Sequence, residues 1–378
     1  MSLSLDKSTW KRVAFGDVVR NVNATVRDLD SAGIERVIAM EHLDPGELQV
    51  KRWGAVGDGT TFTRRVKAGQ TLFGKRRAYQ RKVAFADFEA ICSGDILTFE
   101  ADEPQLLPEF LPFLVQSDGF FDHALGTSAG SLSPRTNWTA LADFKFDLPP
   151  LDEQKRIADL LCAVERHRLA LSTTHETVSS SLGAFVDKYW TEGPLVPIAG
   201  IARCVTGSTP SKSNPRYWDS PDVPFYTPSE IKTTTMQTAR QHVSEAGAHA
   251  GRLIPTNSVA IACIGGEMGK SAVTVEPGIS NQQITSVVGL AEEDAYLLQA
   301  FLAHPNGRAA MDARETTTVV RKLNKSDLMK VELPWPSDRS AMKSSVRSHQ
   351  AALGAVGAEL DDLATLRSSL LNDIFGDN

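Results

Sequence analysis

Between Leu148 and Tyr189 an apolar residue recurs every seven positions, at Ile157, Val164, Leu171, Val178 and Phe185. A second row, four residues on, reads Leu161, Arg168, His175, Leu182 and Tyr189. A seven-residue stripe held over about five heptads requires a partner helix along its length rather than a globular core. The same chain supplies one. Adding 185 to each position gives Met342, His349, Val356, Leu363 and Leu370, then Val346, Leu353, Leu360, Arg367 and Ile374. The entries also match, Leu148-Pro149-Pro150 against Leu333-Pro334-Trp335-Pro336. Arg168 and His175 fall where the other copy carries Leu353 and Leu360, so the polar breaks lie at different heights. Proline ends the preceding segment, and Asp152 and Glu153 place negative charge at a helix N-terminus, where the dipole favours it. An internal repeat of this period doubles a whole unit of domain plus long helix.

The expected organisation is therefore a mixed α/β domain over 1–147, a first helical arm over 148–192, a second domain over 193–333 and a second arm over 334–378. If the two arms pack antiparallel, they form a coiled coil within the chain, related by a pseudo-twofold. Its seam is expected at Ile157, Leu161, Val164, Leu171, Val178, Leu182 and Phe185, against Val346, Leu353, Val356, Leu360, Leu363, Leu370 and Ile374. The second arm lacks the Glu-Gln-Lys-Arg-Ile run of the first and contains Gly354 and Gly357. Each glycine costs a helix about 1 kcal/mol relative to alanine, which is expected to loosen that arm without erasing the stripe.

The N-terminal MSLSLDKSTWKR has no apolar core of the signal-peptide kind, and no apolar run approaches the ~20 residues of a membrane span. Cys92, Cys162, Cys204 and Cys263 are isolated, which points to a reducing compartment, the cytoplasm, and away from disulfides or zinc. The net charge of −6 argues against unselective coating of nucleic acid. Its distribution is more telling. Lys51–Lys82 holds ten basic residues and one acid, Asp58, whereas Val83–Asp147 holds eleven acids against Arg135 and Lys145. A basic face on an acidic body is the footprint of a polyanion site, with a plain solvated surface as the alternative.

Along the first domain, 37–39, 70–73 and 95–99 read as strands, 106–116 as a helix and 126–138 as an exposed loop. The second domain reopens with the same apolar spacing, Val13, Phe15 and Val18 matching Val196, Ile198 and Ile201; 258–264 reads as a buried strand and 294–303 as a helix. Catalytic motifs fail on inspection. Gly126-Thr127-Ser128-Ala129-Gly130 fits GxSxG, but Ser131-Leu132-Ser133-Pro134 follows where a helix is needed. Gly265-Gly266-Glu267-Met268-Gly269-Lys270-Ser271 lacks the first glycine of a phosphate loop, because Ile264 stands there. Asn214-Pro215-Arg216-Tyr217 lacks the second proline of an adenine-methyltransferase motif, and no glycine-rich cofactor turn is present. Pro221-Asp222 with Glu230-Ile231-Lys232 is too common a pattern to mark a nuclease. No catalytic residue, cofactor or metal ligand is assigned.

Taken together these residues resemble the specificity subunits of type I restriction–modification enzymes. The resemblance rests on Leu148-Pro149-Pro150-Leu151-Asp152-Glu153-Gln154-Lys155-Arg156-Ile157, with its C-terminal counterpart. It also rests on Gly207-Ser208-Thr209-Pro210-Ser211 and Ile279-Ser280-Asn281-Gln282-Gln283 in the second domain. In the first domain it rests on Leu72-Phe73-Gly74-Lys75-Arg76-Arg77, Cys92-Ser93-Gly94-Asp95 and Ser131-Leu132-Ser133-Pro134-Arg135. It implies a non-catalytic DNA reader in which each recognition domain reads one half of a bipartite, asymmetric target in double-stranded DNA. Two methyltransferase subunits, which bind S-adenosylmethionine themselves and methylate adenine at N6, dock on the helices, and a restriction (motor-nuclease) subunit joins them. Membranes play no part.

Under that resemblance the DNA-contact candidates in the first domain are Lys75, Arg76, Arg77, Tyr79, Arg81, Lys82, Ser133, Arg135, Asn137 and Trp138. In the second they are Ser208, Thr209, Lys212, Lys270, Asn281, Gln282, Gln283, Arg321 and Lys322. The basic groups suit phosphates, or in the case of one arginine the O6 and N7 of guanine, and the amides suit adenine. For Asn281–Gln283 the alternative is a loop bonding itself; for Tyr217 and Trp218 it is ordinary core. About 35 helical residues at ~1.5 Å each make an arm a spacer of roughly 50 Å. Two other functional readings stand beside this one: a helical scaffold with an incidental basic face, and a stand-alone methyltransferase, against which the missing cofactor loop weighs.

Overall fold

The computed structural model describes residues 5–236, 239–317 and 320–376; the extreme ends of the two outer segments expected from sequence, 1–4 and 377–378, lie outside them. The chain divides into two compact units, residues 1–170 with 359–378 and residues 171–358. Two helices dominate, Leu151–Glu192 and Ser340–Phe375. Each begins in one unit and ends in the other.

The arms pair in opposite directions, a polarity that the heptad period by itself leaves open. In the first unit Ile157, Ala158, Leu161 and Val164 share a core with Leu370, Leu371 and Ile374, with Leu363 and Leu366 packed against it. In the second unit Leu182, Phe185, Val186 and Tyr189 pack with Met342 and Val346. The start of one arm thus meets the end of the other. Burial along the seam is uneven. Ile157, Leu161, Val164, Val346, Leu370 and Ile374 are buried, whereas Leu171, Val178, Leu182, Phe185, Leu353, Val356, Leu360 and Leu363 are half-buried. A two-stranded coil leaves its seam partly wet, and full burial arises where an α/β domain also covers the helix. Each fully buried Leu or Ile contributes about 1.5–3 kcal/mol, so the arm ends are the strongly held parts.

The two mixed α/β domains are two versions of one topology. In the first, Lys11–Ala14 pairs antiparallel with Lys145–Leu148, closing the domain at the foot of the arm. In the second, Leu195–Pro197 pairs in the same way with Glu332–Pro334. The main sheet of the first domain runs in the order Val19–Asn21, Ile96–Ala101, Thr71–Gly74, Val83–Phe85. Its counterpart runs Arg203–Thr206, Ile284–Val288, Val259–Ala262, Ser271–Thr274, then adds Thr235–Met236. The smaller sheet in each contains a parallel pair, Arg36–Ile38 with Ala90–Cys92 and Val223–Tyr226 with Ile279–Ser280. The four strands expected from sequence fall on Arg36–Ile38, Thr71–Gly74, Ile96–Ala101 and Val259–Ala262, and the expected 294–303 helix lies within Glu292–Ala303. The 106–116 helix is a correction. Only Leu111–Val115 is helical, because Pro108 disfavours helical backbone at Leu107 while Pro112 is tolerated in a first turn.

Arg168, which interrupts the apolar row, is anchored. Its guanidinium donates to Glu47 Oε1 and Oε2 at 2.7 and 2.8 Å and to Glu165 Oε2 at 3.0 Å. Arg367, from the other arm, contacts Glu165 and donates to Gln116. The second unit has a similar clasp, where Arg339 and Lys343 reach Asp294 Oδ1 at 3.1 and 3.0 Å. Burial alone would raise the Glu47 carboxyl, but bonds from Arg168 and Lys51 hold it below its ordinary 4.5. Burial also opposes ionisation of Asp294, and Arg339 and Lys343 outweigh it, so it too lies low. A carboxyl depressed in the folded state stabilises above its unfolded pKa, and that contribution is lost as pH falls through the folded value. Thermal midpoints of the chain are therefore expected to be flat above about pH 5 and to fall steeply below about pH 4. Glu47→Gln together with Asp294→Asn should flatten that acid limb. An unaltered limb would show that other groups control it.

Gly354 and Gly357 lie inside the unbroken Ser340–Phe375 helix, and a Cβ at either would meet nothing within 4 Å. The helix tolerates them without a break. Gly354→Ala and Gly357→Ala are each expected to add about 1 kcal/mol by propensity alone. A urea titration of the double variant checks this, and a lower midpoint would contradict it.

Candidate nucleic-acid interface

In the first domain the interface candidates gather on two loops. The connection 75–82 joins the antiparallel strands Thr71–Gly74 and Val83–Phe85. The loop 129–136 leads to the short helix Trp138–Ala142. The two are laced by backbone bonds, Arg77 N to Pro134 O at 2.8 Å and Thr136 N to Lys75 O at 3.1 Å, and Lys75 N ties the first to Asp95 O at 3.0 Å. This brings Lys75, Arg76, Arg77, Ser133 and Arg135 together. Arg76 Nε donates to Ser133 Oγ at 2.6 Å. Arg135 donates to Asp95 Oδ1 at 3.0 Å, and Arg76 lies 3.7 Å from Asp95 Oδ2.

Asp95, which the sequence offered only as part of a motif, is the centre of this group. The hydrogen bond from Arg135 holds its carboxyl below the usual range, with Lys75 and Arg76 adding to the effect. Burial, then the charges of Arg64 and Arg135, lowers the Lys75 ammonium. One carboxylate faces three cations, so the site keeps a surplus positive charge suited to an anion. The tip of the second loop carries Leu132, 91% exposed.

The other first-domain candidates are occupied within the fold, apart from Tyr79, which is 55% exposed. Arg81 pairs with Asp118 at 2.6 Å and lies 4.5 Å from the Phe121 ring centroid. Lys82 donates to the Met40 carbonyl at 2.7 Å. Asn137 caps the following helix through a bond from Ala140 N at 2.9 Å. Trp138 packs against Phe15 and Phe99, with centroids 5.9 and 5.7 Å away.

The second domain builds the same frame from other side chains. Residues 263–270 join Val259–Ala262 to Ser271–Thr274, two antiparallel strands with no helix following, so the glycine-rich run is a hairpin connection. Gly265 N donates to Arg321 O at 3.0 Å, Leu323 N to Cys263 O at 2.8 Å, and Cys263 N to Gln283 O at 2.7 Å. Ser208 and Thr209 cross above 280–283 because Gly207 permits close approach. A Cβ there would lie 2.2 Å from the Asn281 carbonyl. Thr209 Oγ1 donates to Gln282 Oε1 at 3.0 Å, and Asn281 Nδ2 to Gln283 Oε1 at 2.9 Å. Gln283 N also donates to Asn281 Oδ1 at 3.0 Å, so this loop does bond itself, while Gln282 stays exposed. The cations here are mostly matched. Lys270 pairs with Glu267, and Arg321 with Asp312 and Glu315 at 2.7 Å each. Lys322 is exposed, and Lys212 lies 5.9 Å from the centroid of the Trp218 ring. The first domain thus presents cations and the second presents amides and hydroxyls.

The four cysteines are free thiols, and burial raises Cys92 to about 12 and Cys263 to about 11. Among the described residues no group of His, Cys, Asp and Glu is placed to hold a metal ion, and no helix is long and apolar enough to cross a membrane.

The class of protein so defined carries one loop frame twice, on two mixed α/β domains joined by paired helical arms. Comparison with known proteins agrees. Residues 9–178 match the type I restriction modification DNA specificity domain. The HindI specificity subunit of Haemophilus influenzae is 28% identical over 144 residues, covering 37% of this chain and 31% of that protein. The EcoR124I/EcoR124II specificity subunit of Escherichia coli is 25% identical over 146 residues, covering 36% and 35%. The chain spans about a third of the length of these curated relatives. The type I restriction–modification S subunit from M. genitalium superposes with a TM-score of 0.67 at 14% identity, covering 100% of this chain and 99% of that one, which shows a shared fold. Residues 9–178 are thus similar to the type I specificity domain, and the fold along the chain is similar to that of an S subunit.

Proposed function

We propose that this chain is the DNA-reading, non-catalytic subunit of a type I restriction–modification complex, each domain contacting one half of a bipartite, asymmetric duplex target. The observation that carries the reading is the duplicated loop frame with unlike contents, cationic around Asp95 and amide-rich around Gln283. One frame dressed in two ways suits one ligand type presented with two sequences. Phosphate contacts from the cationic loops supply affinity and register, and the amides and a guanidinium supply base selection.

In this reading the arms dock two adenine-N6 methyltransferase subunits, which a restriction subunit joins, and arm length sets the gap between half-sites. The complex works in the cytoplasm. Mapping methylated adenines in host DNA with and without this gene tests the core of the proposal. Loss of one bipartite motif supports it, and an unchanged methylation pattern refutes it. Inserting one heptad into each arm should change the unread gap while leaving both half-motifs intact.

A further inference from the structure

The two loop frames superimpose in sequence at an offset of 188, and one pair of equivalent positions is informative. Arg77 and Gly265 each donate a backbone N–H across to the partner loop, at 2.8 and 3.0 Å. Both have left-handed backbone, φ 54° at Arg77 and 94° at Gly265. Arg81 and Gly269 form a second such pair, φ 52° and 86°. Glycine adopts this conformation freely, whereas an L side chain is strained there. The second domain shows that the frame accepts glycine at both points. The first domain nevertheless keeps two arginines.

At position 81 the fold itself explains the choice, since that guanidinium pairs with Asp118, donates to Gln116 O at 3.0 Å and covers Phe121. Arg77 has no such account. It is half-buried and follows Arg76 in the loop; its Nε is enclosed without a hydrogen-bond partner, and among the described residues no hydrogen bond or ion pair holds the two terminal nitrogens of its guanidinium, which are not enclosed. A strained arginine whose terminal guanidinium nitrogens have no partner in the fold, inside a cationic loop pair, points to an external acceptor for those nitrogens. In the second domain a Cβ on Gly265 would point toward Gln283 Nε2, 4.0 Å away. There the amide occupies the space that an arginine side chain would enter.

Resting on the DNA-reading function above, we propose that Arg77 is the specificity-determining residue of the first domain. Its guanidinium takes the O6 and N7 acceptors of one guanine in the major groove, while Gly265 cedes the equivalent role to Gln283. The fork geometry matters, so lysine does not substitute.

The test is selection from a randomised duplex library by the full-length wild-type chain, Arg77→Gly and Arg77→Lys, each followed by sequencing and a salt titration. Glycine is native to the equivalent position, so Arg77→Gly should retain or raise the thermal midpoint. Both variants are expected to lose roughly ten- to a hundredfold of discrimination for guanine at one position of one half-motif, with the other half-motif unchanged. An unaltered motif in Arg77→Gly overturns the assignment. So does uniform weakening on all sequences with a shallower salt dependence, which marks a phosphate contact. If the wild type enriches no motif, the DNA-reading function itself fails, a result distinct from either of these.

Discussion

Glu165→Leu is expected to lower the stability of the chain by about 3 kcal/mol, a fall of roughly 6–12 °C in thermal midpoint. Glu165 is the deepest member of the clasp, its side chain only 9% exposed, and it serves Arg168 and Arg367 at once. With Glu47 the clasp holds two carboxylates and two guanidiniums, so its inner charge is balanced. Removing Glu165 leaves a net positive charge in a site that water reaches poorly, and an unpaired buried charge is far costlier than a lost surface pair. The double variant Glu165→Leu/Arg367→Leu should recover most of the loss. Arg367 lies in the second heptad row, between Leu360 and Ile374, where leucine continues the stripe. Urea unfolding of the two singles and the double closes the cycle. Additive losses would mean that the residues are not coupled.

Polar breaks in the stripe mark where the sequence was legible and where it was not. Periodicity alone located the arms and most seam positions, because a side chain's place on a helix follows from its number, whereas their opposite polarity had to be supposed. It also showed Arg168 and Arg367 as interruptions. It could not show their partner, since Glu47 lies 121 residues before Arg168 and nothing local links them. The same limit governs the interface. The basic run around Lys75 was visible, and the cluster it forms with Arg135 and Ser133 depends on a loop some 57 residues away. Asn137 and Trp138 stand among the candidates because their types suit DNA, and what the sequence did not show is that Asn137, though exposed, also caps a helix and that half-buried Trp138 packs beside Phe15. The strain at Arg77 was not legible at all. It appears only once φ is known and the sister loop supplies a glycine for comparison.

The other large effect belongs to the cationic loops. The triple variant Lys75→Ala/Arg76→Ala/Arg135→Ala is expected to weaken duplex binding by about a hundredfold or more near physiological salt. The slope of log affinity against log salt should become shallower by roughly 2.7, about 0.9 for each phosphate contact removed. Its structural cost should be small. Arg76 and Arg135 are 40% and 48% exposed and share one carboxylate, and exposed pairs of this kind contribute little to stability. The salt slope therefore decides the matter, because lost packing lowers affinity at every salt concentration without changing the number of counterions released. Asp95→Asn serves as the complementary variant. It frees Arg135 and Arg76 from their shared counter-ion while keeping the charge surplus, so non-specific binding should strengthen as sequence preference declines. A triple variant with the wild-type slope would place the DNA elsewhere on the molecule.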